Sequence, residues 1–315
     1  MAAACILPDR FDPHAGFMTE REQLGTRGGA FPADVGLMVR KAGGEVDVVP
    51  LQSARLSVFD AAVPWRDFRW YRGQRHFSGS YWSATMQSHV GYESRLEYAN
   101  LLLADFDPRV DWILSQPFLL EGEDKGTRRR HIPDYLIVHA DQTVCVVDVK
   151  PAAKLTIPKV RDSLSWSRRV IEPHGWEYRV QSEPDEVLLR NVEFLAGYRR
   201  PFQFADGDVT GALGELRSPM AFGEAVRAIP AVAGGLLAAR ALVLHLLWAR
   251  RLSTDLTRLL SATSGPPPSF GPVAVRVVGF QLMGALPSVV DRCEVSDRSS
   301  SRRSRPGRAA ASRSC

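Results

Sequence analysis

Two short β-prone runs constrain this chain more than any other feature: YLIV at 135–138 and VCVVDV at 144–149, joined by the polar stretch HADQT at 139–143. Apolar runs this short with a turn-like connector read as a β-hairpin. Pro133 has no N–H to give a ladder, so it fits only at the edge of that unit. Asp134 then sits at the mouth of the first strand. Asp148 and Lys150 lie two apart at the end of the second and project from one face. The hairpin thus gathers two carboxylates and an ammonium at one end of a sheet. Carboxylate oxygens are what Mg²⁺ prefers, and it keeps several waters while bound. A lysine beside them can orient a water and oppose negative charge that develops on a reacting group. The plainer alternative is a solvated strand end.

Residues 1–65 are rich in Gly, Pro and charge without a sustained period, and read as a loosely ordered arm with room for a short strand or two between 46 and 57. Residues 68–83, FRWYRGQRHFSGSYWS, interleave arginines with aromatics. Arg72 and Arg75 there can grip a phosphate backbone while the rings stack on bases, or the rings can cap a core with the arginines in water. Residues 90–105 form the clearest helix, with Tyr92, Leu96, Ala99 and Leu103 in one apolar stripe. Glu93 and Glu97 stand one turn apart on its flank; both can reach the helix–sheet boundary, and spacing does not choose between them. Phe106-Asp107-Pro108 stops the helix.

A strand follows at 110–118, then a charged loop at 121–130 ending in Arg128-Arg129-Arg130, directly before His131 and the hairpin. Those four residues are placed to hold a phosphate; otherwise the triplet is a solvated turn. Downstream come a helix at 158–171 with Pro158 at its first position, a strand at 176–180 and a helix at 186–198. The predicted core is therefore α/β, a mixed sheet flanked by helices. A boundary near 199–201 introduces helical patterns at 221–228, 236–252 and 254–260, with a tight turn at Ser253. They suit a helix-turn-helix or a generic small bundle.

Composition sets limits. Of 315 residues, 45% are hydrophobic and 24% charged, as in a soluble globular protein. The formal charge is +5, but residues 291–315 hold seven Arg against three acids, so the folded part is nearly neutral. Local patches, not bulk charge, must carry any nucleic-acid binding. Cys5, Cys145, Cys293 and Cys315 make no CxxC pair and no zinc spacing, which points to free thiols in a reducing cytoplasm. The apolar stretch 231–249 contains Arg240 and His245. A central Arg costs about 2.5–3.5 kcal/mol on insertion scales, so a buried helix is expected and no membrane contact. The Arg/Ser-rich tail, 263–315, cannot build a core and is expected to be disordered; it is either a nonspecific nucleic-acid binder or the product of a shifted reading frame.

Ser94-Arg95-Leu96-Glu97, the segment from Phe106-Asp107-Pro108 to Gln116-Pro117, His131-Ile132-Pro133-Asp134 and Asp148-Val149-Lys150-Pro151 occur in that order. Together they resemble the TnsA-like endonuclease subunit of heteromeric transposases, within the PD-(D/E)xK nucleases, over about residues 66–200. The resemblance implies a restriction-endonuclease-like catalytic domain at 66–200 and a helical, winged-helix-like domain at 201–262. It implies Mg²⁺, with Mn²⁺ as the alternative ion, held by Asp134, Asp148, the Val149 carbonyl and Glu97. It favours Glu97 over Glu93 as the helix carboxylate and makes Lys150 the catalytic lysine. The implied reaction is hydrolysis of one DNA strand, the 5′ end, at transposon termini. The implied partners are a DDE-type transposase and an AAA+ ATPase regulator. The rivals are a stand-alone restriction or repair nuclease and a DNA-binding or assembly module that has lost its chemistry.

Overall fold

The computed structural model describes residues 35–67, 77–217, 220–260 and 274–277. In chain order the elements are β1 (Gly36–Arg40), β2 (Val46–Pro50), β3 (Gly79–Ser83), β4 (Ser88–Tyr92), α1 (Arg95–Phe106), β5 (Val110–Ser115), β6 (Leu119–Asp124), β7 (Thr127–His131), β8 (Tyr135–His139) and β9 (Val144–Val149). After them come α2 (Pro158–Ile171), β10 (Glu177–Gln181), α3 (Glu186–Ala196), α4 (Asp206–Glu215), β11 (Met220–Ala221), α5 (Phe222–Ala228), α6 (Pro230–Ala233), α7 (Leu236–Trp248), β12 (Leu252–Ser253) and β13 (Ala274–Val277). The architecture is mixed α/β.

The expected hairpin is β8–β9, antiparallel, with Tyr135 opposite Val147 and Val138 opposite Val144. It forms the centre of a four-stranded sheet ordered β10-β9-β8-β5, in which β10 runs parallel to β9. The run VCVVDV is apolar without alternation because both of its faces are covered. Leu136, Val138, Val144 and Val146 pack with Leu37, Phe59, Phe118, Val170 and Trp176 on one side. Tyr135, Ile137, Cys145 and Val147 pack with α1, α3 and α7 on the other. Burial pushes the Cys145 thiol up to about 12, as expected of an inert core residue.

Several expectations need correction. Residues 36–50 are not a loose arm: β2 falls where a short strand was expected, but β1 pairs with it and also with β6, in a second sheet ordered β2-β1-β6-β7. Leu37 and Val39 are fully buried there; a single alternating strand among charged residues gave too short a pattern to stand out. Residues 1–34 lie outside the described residues. The charged loop at 121–130 is the β6–β7 hairpin, turned by Lys125 (φ 53°) and Gly126 (φ 74°). Two positive φ values in a two-residue loop make the turn whose twist suits a hairpin. Three consecutive arginines hid the strand period.

The helix starts at Arg95, not at 90, because Ser94 caps it by accepting from the Glu97 N–H at 3.1 Å. Val90 and Tyr92 belong to β4. Asp105, buried on α1, accepts from the hydroxyls of Tyr81 and Ser83 and the N–H groups of Ala84 and Thr85, which pins the β3–β4 hairpin to that helix.

The boundary near 199–201 is not a break in packing. Residues of α1, α3 and α7 share one core, with Phe106 against Trp248 at 5.2 Å between ring centres. Residues 254–260 are not helical; the chain pairs β12 with β13 instead, and that strand lies within the segment expected to be disordered. The rest of 263–315 lies outside the described residues. The short sheet is ordered β11-β13-β12. Among the described residues no helix is long and apolar enough to cross a membrane.

Asn191, buried on α3, staples 256–260 down: its amide donates to the carbonyls of Leu256 and Arg258, and its oxygen accepts from Leu260 N–H. Asn191→Ala strands all three groups, so a loss of about 2–3 kcal/mol is expected in denaturant titration.

Candidate active site

Of Glu97, Asp134, Asp148 and Lys150, the last three converge directly. Asp134 precedes β8, and its own N–H extends the ladder to the Val147 carbonyl. Its Oδ2 accepts from Val149 N–H at 2.6 Å and from Lys150 Nζ at 3.0 Å. Lys150 Nζ also reaches the Val149 carbonyl at 3.0 Å and lies 3.7 Å from Asp148 Oδ1. The ammonium therefore sits among the same oxygens that a cation would use. Exposure decreases from Lys150 (30% of the side chain) to Asp134 (15%) to Asp148 (0%). Gln116, in the left-handed region at φ 44°, donates its N–H to the Asp134 carbonyl at 2.9 Å and holds the Trp65 and Arg66 backbone on its other side.

Electrostatics separate the two aspartates. Burial raises Asp134; the Lys150 charge opposes it most, the Asp148 charge adds to it, and the hydrogen bonds from Val149 and Lys150 offset part of it, with burial prevailing. Burial also opposes ionisation of Asp148, but His131, Lys150 and the Tyr178 hydroxyl outweigh it and hold the carboxyl below its usual range. Lys150 is pulled down by burial and carried up further by the two aspartates. The set is an ammonium balanced by one firmly ionised carboxylate and one that ionises reluctantly.

Glu97 stands at the edge of this group, close enough that the Asp134 charge acts on it. Burial first, and that charge second, push it up to about 7. Its oxygens, however, are engaged at the helix start: Oε2 accepts from Glu93 N–H at 2.7 Å and Oε1 from the Ser94 hydroxyl at 2.9 Å. Ser-x-x-Glu is a capping box, so the motif carries a structural role alongside any chemical one. Glu93 lies 3.9 Å from Arg66.

The arginine triplet is not a row of free cations. Arg128 and Arg130 both pair with Glu121, and Arg129 with Asp124 and Asp162, the last at 2.5 Å. His131 is not on the surface waiting for phosphate either. Its side chain is 12% exposed and its Nε2 lies 2.7 Å from Asp148 Oδ2. Arg72 and Arg75 lie outside the described residues. Tyr178 was missed: its hydroxyl donates to Asp148 Oδ2. Nothing in the local pattern of β10 marks it, since a tyrosine on a buried strand is ordinarily core.

No protein-family model matches this sequence. No curated protein is significantly similar to it.

Among the described residues, no three His, Cys, Asp or Glu side chains are gathered as a ready metal cage. The donor chemistry nevertheless fits a hard cation. Asp148 Oδ1 is buried and takes no hydrogen bond, and a buried anionic oxygen without a donor is the kind of exception that calls for a cation or a water. Asp134 and the Val149 carbonyl add oxygens beside it, the ligand type that Mg²⁺ and Mn²⁺ accept. Both Glu97 oxygens already accept a hydrogen bond, from Glu93 N–H and the Ser94 hydroxyl.

Proposed function

We propose that the chain is a Mg²⁺-dependent DNA endonuclease of the PD-(D/E)xK type, acting as the TnsA-like subunit of a heteromeric transposase. The observation that carries this reading is the convergence of Asp134, Asp148 and Lys150 at the end of β8–β9, with the orphaned Asp148 Oδ1 beside the lysine. Asp134, Asp148 and the Val149 carbonyl would hold the ion. When bound, it supplies Lewis-acid polarisation of the phosphate and lowers the pKa of water. Lys150 contributes a fixed positive charge against the charge that builds on phosphorus. Glu97, reluctant to ionise, is suited to accept a proton near neutral pH.

The region after α3 supports the partner-docking half of this reading. Its order is helix, strand, helices, strand, strand, with β13 between β11 and β12, the order of a winged helix. The helix that would enter a DNA groove, α7, has eight buried residues. Such a domain is better fitted to contact proteins, here the DDE-type transposase and the AAA+ regulator, than to read bases.

The test is strand cleavage of a supercoiled plasmid and of end-labelled transposon-end duplexes by the full chain, with and without the partner proteins, in Mg²⁺ and Mn²⁺. Cuts leaving 5′-phosphate and 3′-hydroxyl, lost with Asp134→Ala and with chelator, are expected. Vigorous cutting of DNA lacking transposon ends, without partners, would favour a stand-alone nuclease. One observation favours a third reading, an assembly module without chemistry: Glu97 is turned away into its helix cap. That reading predicts transposon excision in cells unchanged by Asp134→Ala.

A further inference from the structure

The two oxygens of Asp148 live in different surroundings. Oδ2 is met by two donors from different strands: His131 Nε2 from the end of β7, at 2.7 Å, and the Tyr178 hydroxyl from β10. Oδ1 takes no hydrogen bond, and Lys150 Nζ lies 3.7 Å from it. The carboxylate torsion of an aspartate is broad and roughly two-fold. Left alone, this side chain could offer the Lys150 side either oxygen, or both. Two donors fixed on separate strands remove that freedom.

The donors are themselves held. Tyr178 is 4% exposed, and its strand runs parallel to β9 with Tyr178 opposite Val146. His131 lies opposite Leu120 on the second sheet, so its hydrogen bond crosses from the β2-β1-β6-β7 sheet to the β10-β9-β8-β5 sheet. Around it the core shared by these sheets is apolar, with Leu37, Val39, Phe118 and Leu120 in one cluster with Leu136, Val138, Val144 and Val146. A polar bond placed where that packing ends, on the one fully buried acid of the site, is well suited to set a direction.

We propose that His131 and Tyr178 are positioning residues for Asp148: they occupy Oδ2 from two strands, so that Oδ1 is the single Asp148 oxygen presented to a divalent cation beside Lys150. The inference rests on the nuclease reading above. It also gives the β1–β2 and β6–β7 hairpins a part in the site, as the platform from which His131 reaches Asp148. Partners of this kind fix the ligand that touches the ion, and their removal typically weakens metal affinity about 10–100-fold.

The probe is Mn²⁺ alone, titrated into the full chain by calorimetry and by the spin resonance of free Mn²⁺, well below the melting temperature. Tyr178→Phe keeps the buried ring and deletes one hydroxyl; His131→Ala deletes the donor; His131→Gln returns an N–H near the position of Nε2. Expected are dissociation constants about 10–100-fold weaker in Tyr178→Phe and His131→Ala, with most of the loss recovered in His131→Gln. A merely structural role lowers the melting temperature but leaves Mn²⁺ affinity of the folded variants at the wild-type value, and that result overturns the proposal. Should His131→Ala fail to fold, Tyr178→Phe decides the matter by itself. Folded wild-type chain that binds no Mn²⁺ overturns the nuclease reading together with the proposal, whereas wild-type binding with both variants unchanged overturns the proposal alone.

Discussion

Lys150→Ala is expected to slow strand cleavage by roughly 10²–10⁴-fold and, in the same protein, to tighten binding of a divalent cation. The two effects share one cause. Lys150 Nζ lies 3.0 Å from Asp134 Oδ2, 3.0 Å from the Val149 carbonyl and 3.7 Å from Asp148 Oδ1. It neutralises oxygens of the kind a metal ion takes, and on the proposed reading it would compete with that ion for them. Removing it takes the paired ammonium from Asp134 and a nearby one from the deeply buried Asp148, and breaking such a pair typically costs about 3–5 kcal/mol. The metal-free variant should therefore melt well below wild type. Added Mg²⁺ or Ca²⁺ should raise its melting temperature by more than it raises that of wild type, through mass action on the folded state. Differential scanning calorimetry across a Ca²⁺ series, which avoids turnover, reads this directly. If Ca²⁺ protects the variant no better than wild type, the oxygens around Lys150 are not a cation site and the lysine is structural.

Glu97→Gln is expected to separate stability from activity in opposite directions. Burial, with the Asp134 charge behind it, carries Glu97 from an ordinary 4.5 up to about 7. The folded state thus holds a proton that the unfolded chain has already released between these two values. More protons bound in the folded state means that stability falls as pH rises across that window. The full penalty is present above about pH 7 and absent below about pH 4.5, and its order of magnitude is about 3 kcal/mol. Glutamine has no charge to bury. It still suits the third position of a capping box, keeping an oxygen for Glu93 N–H and an amide for Ser94. The variant should therefore melt higher than wild type near neutral pH, by roughly 5 °C, and no higher near pH 4. Cleavage should fall, since the residue loses both its negative charge and its capacity to take a proton. Parallel melts at acid and neutral pH check the account; equal stability of the two proteins at neutral pH would remove the buried charge from it.

How much of this was legible in the residues alone depends on how local the controlling physics is. The β8–β9 hairpin, α2 and β10 follow from apolar runs and from Pro158 at a helix start, which act within a few residues. The grouping of Asp134, Asp148 and Lys150 follows from them, because strand parity sets which side chains share an end. The start of α1 was also local, in Ser94-x-x-Glu97, but was masked by the apolar residues of β4 that extend the stripe. The β6–β7 hairpin was hidden for a different reason: its arginines find acids on neighbouring elements, Asp162 on α2 among them, and no local pattern reveals such pairing.

The order of residues was thus sufficient to bring two carboxylates and a lysine to one strand end, since that needs only backbone period and a short turn. Which oxygens are occupied was settled by tertiary packing. His131 arrives from one sheet and Tyr178 from a parallel neighbour, at sequence separations of 17 and 30 from Asp148. Contacts over such distances form only when apolar burial brings the sheets together. The same packing turned Glu97 toward its own helix start and gave the arginine triplet acidic partners, because charges near a buried surface take the nearest partner that spares them desolvation.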